Sequence, residues 1–326
     1  MKKSLFLILF FIVCFMGCRQ EEDSLYTMGI FQVNDAPTLN AVREGFIKSL
    51  EDSGYRDGET VKLIIKNARG NIPELQKIAQ DFVEQKMDMI VPFSTPSLQA
   101  ALHATLKVPI VFSSVANPYL AGAGTSPHKH RSNVAGVSSR GPIKQSLEFI
   151  HRLFPEIRRV GTLWTPSELN SEYYLNLARE SAVELGFEIL SVPIANSTEI
   201  IHSAQVLINK KIDAIYQISD NTINANFEAL GQVAEENAIP LFGGFLVSTR
   251  LGACAAMGWD FFEMGYKTGE IAVRVINGEN PDSIPFQYMK EVKLHINLQS
   301  ARKQNVRFPV EIRNLAEEIL SNDKSE

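Results

Sequence analysis

Side chains able to hold a small polar molecule gather in a few short stretches of this 326-residue chain. They are Gln32 with Asn34 and Asp35; Ser94, Thr95 and Ser97; Ser113, Ser114 and Asn117; Thr165 and Asn170; and Asp220, Asn221 and Thr222. Each stretch directly follows an apolar run, so each sits where a strand gives way to a loop. At 94–97 the spacing predicts a helix start, with Thr95 as cap and Pro96 at the first helical position. Unpaired N–H groups and partial positive charge at such a start suit a carboxylate. The Asp220 carboxylate suits an ammonium group. Capping alone would also explain Ser94, Thr95 and Asp220. Trp164, Phe245 and Trp259 are candidates for an apolar wall, although core packing is the commoner role of any single aromatic.

Catalytic patterns are missing from the same inventory. Residues 136–140 read Gly-Val-Ser-Ser-Arg, which fails the GxSxG elbow at its last place. No GxGxxG or Walker loop occurs. His128 and His130 are the only close histidine pair, and two ligands do not define a metal site. The expectation is a protein with no catalytic residue, metal or cofactor. A net charge of -5 speaks against a nucleic-acid surface.

The elements around these stretches come twice, in one order. An apolar strand at 28–33 leads to a helix with Leu39, Val42, Phe46 and Leu50 on one face, ended by Gly54. A strand at 61–65, a helix through Leu75, Ile78 and Phe82, a strand at 88–93, a helix, and a strand after Pro109 follow. The second round has a strand at 160–164, a loop through Asn170 and Ser171, a helix ended by Gly186, and a strand at 187–192. A helix at 201–208, a strand at 213–218, a helix capped from Asp220, and Leu241 and Phe242 after Pro240 complete it. Gly54 and Gly186 are 132 apart, Asp88 and Asp213 125, Pro109 and Pro240 131. The pattern predicts an α/β protein of two Rossmann-like lobes with mainly parallel sheets. Ligands of such sheets lie beyond the carboxyl ends of the strands, here in the cleft between the lobes.

The N-terminus reads as a targeting segment. Lys2 and Lys3 precede an unbroken apolar run at 5–16, too short to span a bilayer but long enough for a signal-peptide core. Phe15-Met16-Gly17-Cys18 resembles a bacterial lipobox, in which Cys18 would carry the lipid. Cys254 is left as a small packing residue.

Several segments resemble a known family: "AVREGFIKSLEDSG" from Ala41, "STPSLQAA" from Ser94, "VPIVFSSVANP" from Val108, "SNVAGVS" from Ser132, "DNTINANFEAL" from Asp220 and "GWDFFEMGYKTGEIAVRVINGENP" from Gly258. In order and spacing they are similar to the ABC-transporter substrate-binding lipoproteins with a type I periplasmic-binding fold, whose members include tryptophan and tyrosine binders. The resemblance implies an extracytoplasmic, lipid-anchored monomer that captures an amino acid, of the aromatic kind, for an ABC permease. It implies three crossings between lobes, near 138–142, 244–247 and 285–292. Residues 1–17 would be the signal peptide, 18–26 a lipidated tether, 27–138 and 248–284 the first lobe, 139–247 and 285–320 the second, and 321–326 a flexible tail. The ligand is expected to meet Gln32, Asn34, Asp35, Ser94, Thr95, Ser97, Ser114, Asn117, Trp164, Thr165, Asn170, Asp220, Asn221, Phe245 and Trp259. A sensory module of the same fold, and an extracellular α/β hydrolase, are the alternatives. A DNA-binding regulator of this architecture would need a helix pair where the signal segment stands.

Overall fold

The computed structural model describes residues 25–321. The expected signal segment, Cys18, most of the tether and residues 322–326 of the tail lie outside the described residues. Strand β1 (Tyr26–Gln32) buries its last five residues and is followed by α1 (Pro37–Asp52), which puts Leu39, Val42, Phe46 and Leu50 against the sheet. Then come β2 (Val61–Asn67), α2 (Ile72–Glu84) with Leu75, Ile78, Ala79 and Phe82 inward, and β3 (Met89–Phe93), buried throughout. Helix α3 (Thr95–Ala104), β4 (Ile110–Val115), a small hairpin of β5 (Gly124–Ser126) and β6 (Lys129–His130), and β7 (Val134–Ser138) complete the unit. The sheet order is β2-β1-β3-β4-β7, all parallel. Continuous apolar strands such as β3 are what a sheet covered on both faces requires.

Helix α4 (Ile143–Leu153) opens the second unit. It continues with β8 (Arg159–Trp164), α5 (Leu169–Leu185), β9 (Glu188–Pro193), α6 (Ile200–Asn209), β10 (Ala214–Gln217), α7 (Asn221–Asn224), α8 (Phe227–Glu236), β11 (Leu241–Gly243) and β12 (Ala255–Gly258). The order β9-β8-β10-β11-β12 repeats that of the first sheet. Gly186 closes α5 with a left-handed φ of 81°, which a residue without Cβ adopts freely.

Two expectations need correction. Asn170 and Ser171 lie in the first turn of α5, not in a loop. Residues 248–258 do not rejoin the first lobe: β12 pairs with β11 in the second sheet. The repeat supplies the reason, because β12 is the second unit's counterpart of β7 and its sheet needs that fifth strand. The second crossing therefore falls after β12 rather than at 244–247.

From there α9 (Phe261–Ile276) returns to the first lobe and packs on α1. A Cβ on Gly265 would lie 1.9 Å from the Val42 carbonyl oxygen, and one on Gly45 2.0 Å from that of Phe262. Only glycine permits that approach. Strand β13 (Gln287–Tyr288) pairs with β7, after which β14 (Lys293–Asn297) crosses back and runs antiparallel to β12. The expected start of the second lobe's last stretch at 285 is therefore too early: β13 and Phe286 belong to the first lobe, because β7 needs an edge partner, and the chain crosses back only between β13 and β14. Helices α10 (Leu298–Lys303) and α11 (Val310–Arg313) lead to the edge strand β15 (Glu318–Leu320). Trp259, on one crossing, donates its indole N–H to the Arg140 carbonyl, on another, at 3.0 Å.

Candidate ligand-binding site

The carboxyl ends of the strands in both lobes carry a rim of buried polar side chains. In the first lobe Gln32 ends β1 fully buried. Its amide donates to the Asn34 carbonyl at 2.7 Å and to Asn40 Oδ1 at 2.9 Å, while its own oxygen accepts from Arg43 at 2.6 Å. Those bonds fix the loop that presents Asn34. Asp35 is more exposed and holds Asn67 at 2.6 Å.

After β3 the helix cap is Ser94, not Thr95. Ser94 Oγ accepts the Ser97 N–H at 3.4 Å and lies 2.9 Å from Ser97 Oγ. Thr95 Oγ1 instead accepts the Ala116 N–H at 3.2 Å and ties this loop to the one after β4. Ser94 has φ 105° and ψ 160°, and Ser114 has φ 57°. Both conformations are costly for a residue with a Cβ. They sit on neighbouring strand ends, and the ladder of β4 with β7 shifts register between Phe112 and Val115. Asn117 Oδ1 caps the following turn by accepting from Tyr119 and Leu120.

In the second lobe two carboxylates share one corner. Asp220 is fully buried and caps α7, accepting the Ile223 N–H and the Thr165 N–H, each at 2.9 Å. Thr165 N–H also reaches Ser171 Oγ at 3.0 Å. Glu168, buried and immediately before α5, takes the Asn221 and Thr222 backbone N–H groups at 3.0 Å each. It also accepts from the Asn221 amide at 2.6 Å, the Thr222 hydroxyl at 2.7 Å and the Asn170 amide at 3.0 Å. Burial, reinforced by the charge of Glu168, pushes the Asp220 carboxyl up to about 7. Thr165 Oγ1, beside it, is buried without a well-aligned partner.

Sequence reasoning missed Glu168. Adding the 132-residue offset of Gly54 and Gly186 to Ala36, the residue before α1, lands on Glu168, the residue before α5. An acid at a helix start, facing the Asp220 loop of the same repeat, was the available signal.

The lobes meet over this corner: Asn34 Nδ2 donates to the Asn221 carbonyl at 2.8 Å. The structure brings together Asn34, Thr165, Asn170, Asp220 and Asn221 directly. Trp164 stands half-buried at the end of β8 beside them. Phe245 is elsewhere engaged, packed edge-on against Phe227 at 5.2 Å in the core. Trp259 braces two crossings. Cys254 is buried, and burial pushes its thiol up to about 12, as suits packing rather than reactivity.

Two lobes of the same parallel order, joined by three passages of chain, with the polar rim between them, define a type I periplasmic-binding protein. The chain belongs to the ABC transporter substrate-binding protein family, whose profile matches residues 27–320. It is 36% identical over 270 residues, 83% of this chain and 78% of the relative, to the tyrosine-binding protein of Clostridioides difficile. A Streptococcus pneumoniae domain in complex with L-Trp is 25% identical, with a TM-score of 0.84 over 90% of this chain and all of that one. The ligand-free, open structure of CD0873, a substrate-binding protein with adhesive properties from Clostridium difficile, is 30% identical, with a TM-score of 0.68 over 91% of this chain and all of that one. The less identical complex thus superposes better than the open form. In this structure the Asn34–Asn221 bond joins the two lobes across the cleft.

Proposed function

We propose that this substrate-binding protein captures a free amino acid, of the aromatic class, by reading its two charged ends with different lobes. The reading is carried by two differing rims: the uncharged, hydroxyl-lined start of α3, whose Pro96 shares a cavity with Ser167, and the buried Asp220 and Glu168 carboxylates of the other lobe. The ligand carboxylate lies at the start of α3, where N–H groups and the helix dipole favour an anion. Its ammonium lies at Asp220, with Thr165 Oγ1 supplying a further polar contact. Gln32, Asp35, Ser114, Asn117, Asn170 and Asn221 shape the rim. Trp164 supplies an aromatic wall. Glu168 keeps the start of α7 in place through five neutral donors and so positions Asp220. Names of similar proteins that bind tyrosine or hold L-Trp support the ligand class.

Closure is a population shift: a ligand that bridges both rims favours the closed state by the free energy of the contacts that only this state makes. The closed form docks on the permease. Among the described residues no helix is long and apolar enough to cross a membrane. The 5–16 run and Cys18 support a lipid anchor, with the folded part outside the cytoplasmic membrane. A thermal-shift panel of the twenty amino acids and the purine nucleosides tests the reading. The expected result is a rise in melting temperature with aromatic amino acids. No rise with any amino acid overturns it.

A further inference from the structure

Among the described residues, none of the ion pairs or side-chain hydrogen bonds brings a cation to the corner shared by Asp220 and Glu168. Every hydrogen bond that either accepts comes from a neutral N–H or O–H group. The groups facing the pair come from several elements. Thr165 directly follows β8, Ser171 comes from α5, and Asn221, Thr222 and Asn224 come from α7. Asn34 comes from the first lobe, with Asp35 behind it on Asn67. His103 of α3 lines a neighbouring cavity of about 360 Å³ opposite Ser167. Two buried negative charges so placed repel one another with little water to screen them. Beside Asp220, the Thr165 hydroxyl is buried without a well-aligned partner; its O–H, like that of Ser171, can donate to the ionised carboxyl and favour it, or turn so that its oxygen accepts from the protonated one.

We propose that amino-acid capture at this corner expels a proton: the empty site holds one on the carboxylate pair, with Thr165 Oγ1 as its acceptor, and the ligand's ammonium group takes its place. The inference rests on the amino-acid reading above. The exchange balances. Asp220 carboxylic acid plus a cationic ammonium gives a carboxylate–ammonium pair and one proton released to solvent. The high carboxyl of Asp220, near 7, places the exchange in the physiological range. Binding then weakens as pH falls, by about tenfold for each pH unit below about 7.

The experiment is calorimetry of the intact protein with L-tyrosine at about pH 7.5 and about pH 5.5, in buffers of different ionisation heat. The expected result is an affinity roughly twentyfold weaker at the lower pH, with close to one proton released per ligand there. Asp220→Asn should bind weakly, without pH dependence or proton release. Equal affinity at both pH values, with no release, overturns the inference and leaves the amino-acid reading standing. Absence of binding by all twenty amino acids overturns that reading instead. A ligand-free arm uses carbon-13 NMR of labelled Asp carboxyls. One resonance should titrate near neutrality and vanish in Asp220→Asn. Titration of every Asp below about pH 5 overturns the inference whatever the ligand.

Discussion

The two lobes are built to one plan and finished with opposite chemistry. Strand, helix and strand follow in the same order, and each lobe's rim is a set of helix starts at strand ends. In the first lobe the start of α3 is neutral and strained, with Ser94 at φ 105° and Ser114 nearby at φ 57°. In the second the starts of α5 and α7 are acidic and relaxed, with Glu168 at φ -105° and Asp220 at φ -137°. Backbone symmetry places the rims face to face. Side-chain asymmetry gives one rim donors and the other carboxylates. On the proposed reading, a dipolar ligand is fully held only when both lobes meet it, and this would couple closure to the ligand.

The largest effect should come from breaking the acidic side. Asp220→Ala is expected to weaken amino-acid binding by at least about a hundredfold, the scale of truncating one partner of a buried charge pair. Its stability should fall only as far as a lost helix cap allows, about 1–2 kcal/mol. Titration calorimetry beside thermal denaturation checks both; retained affinity would reduce Asp220 to a cap. Next comes the neutral side. Asp caps a helix as well as Ser does, so Ser94→Asp should keep the fold and still cost roughly tenfold or more in affinity, by placing a like charge at the ligand carboxylate. Unchanged affinity would move the ligand carboxylate away from α3.

A third prediction concerns stability and pH. The folded-state carboxyl of Asp220 titrates above its unfolded value, so the folded protein holds more protons than the unfolded one between about 4 and about 7. Stability of the ligand-free protein should therefore fall as pH rises through that window. Asp220→Asn should flatten the fall, and Glu168→Gln should shift its upper end to lower pH by removing the second cause of the raised value. Chemical denaturation across pH reads this directly, and a flat wild-type profile would contradict it. The smallest effect is expected at Ser114. Ser114→Gly relieves a left-handed residue and should raise stability by about 0.5–1 kcal/mol, with weaker binding where the hydroxyl serves the ligand.

Much of this architecture was readable from residues alone, because the repeat leaves apolar strands and glycine stops at near-constant offsets. Its fifth strand was not. β12 is only Ala255–Gly258, and the partner that pins it from the other side, β14, arrives some 35 residues later and antiparallel. Short small-residue strands carry little pattern, and only pairing assigns them to a sheet. The site was legible as a set of strand ends but not in its division of labour. Cap and ligand contact call for the same residue types, so Ser94 and Thr95 exchanged roles. Glu168 went unread because a carboxylate before a helix is ordinary until it is found buried. Aromatic residues were the least legible, since nothing in the spacing separates Phe245 in the core from Trp164 at the rim.

The central claim, that each lobe reads one charged end of the ligand, is tested most directly by removing the ends one at a time. Calorimetry would compare L-tyrosine with tyramine, which lacks the carboxylate, and with 3-(4-hydroxyphenyl)propionate, which lacks the ammonium group. The account predicts saturable binding of the amino acid and a loss of at least about a hundredfold with either analogue. Binding of either analogue as tightly as the amino acid would contradict it.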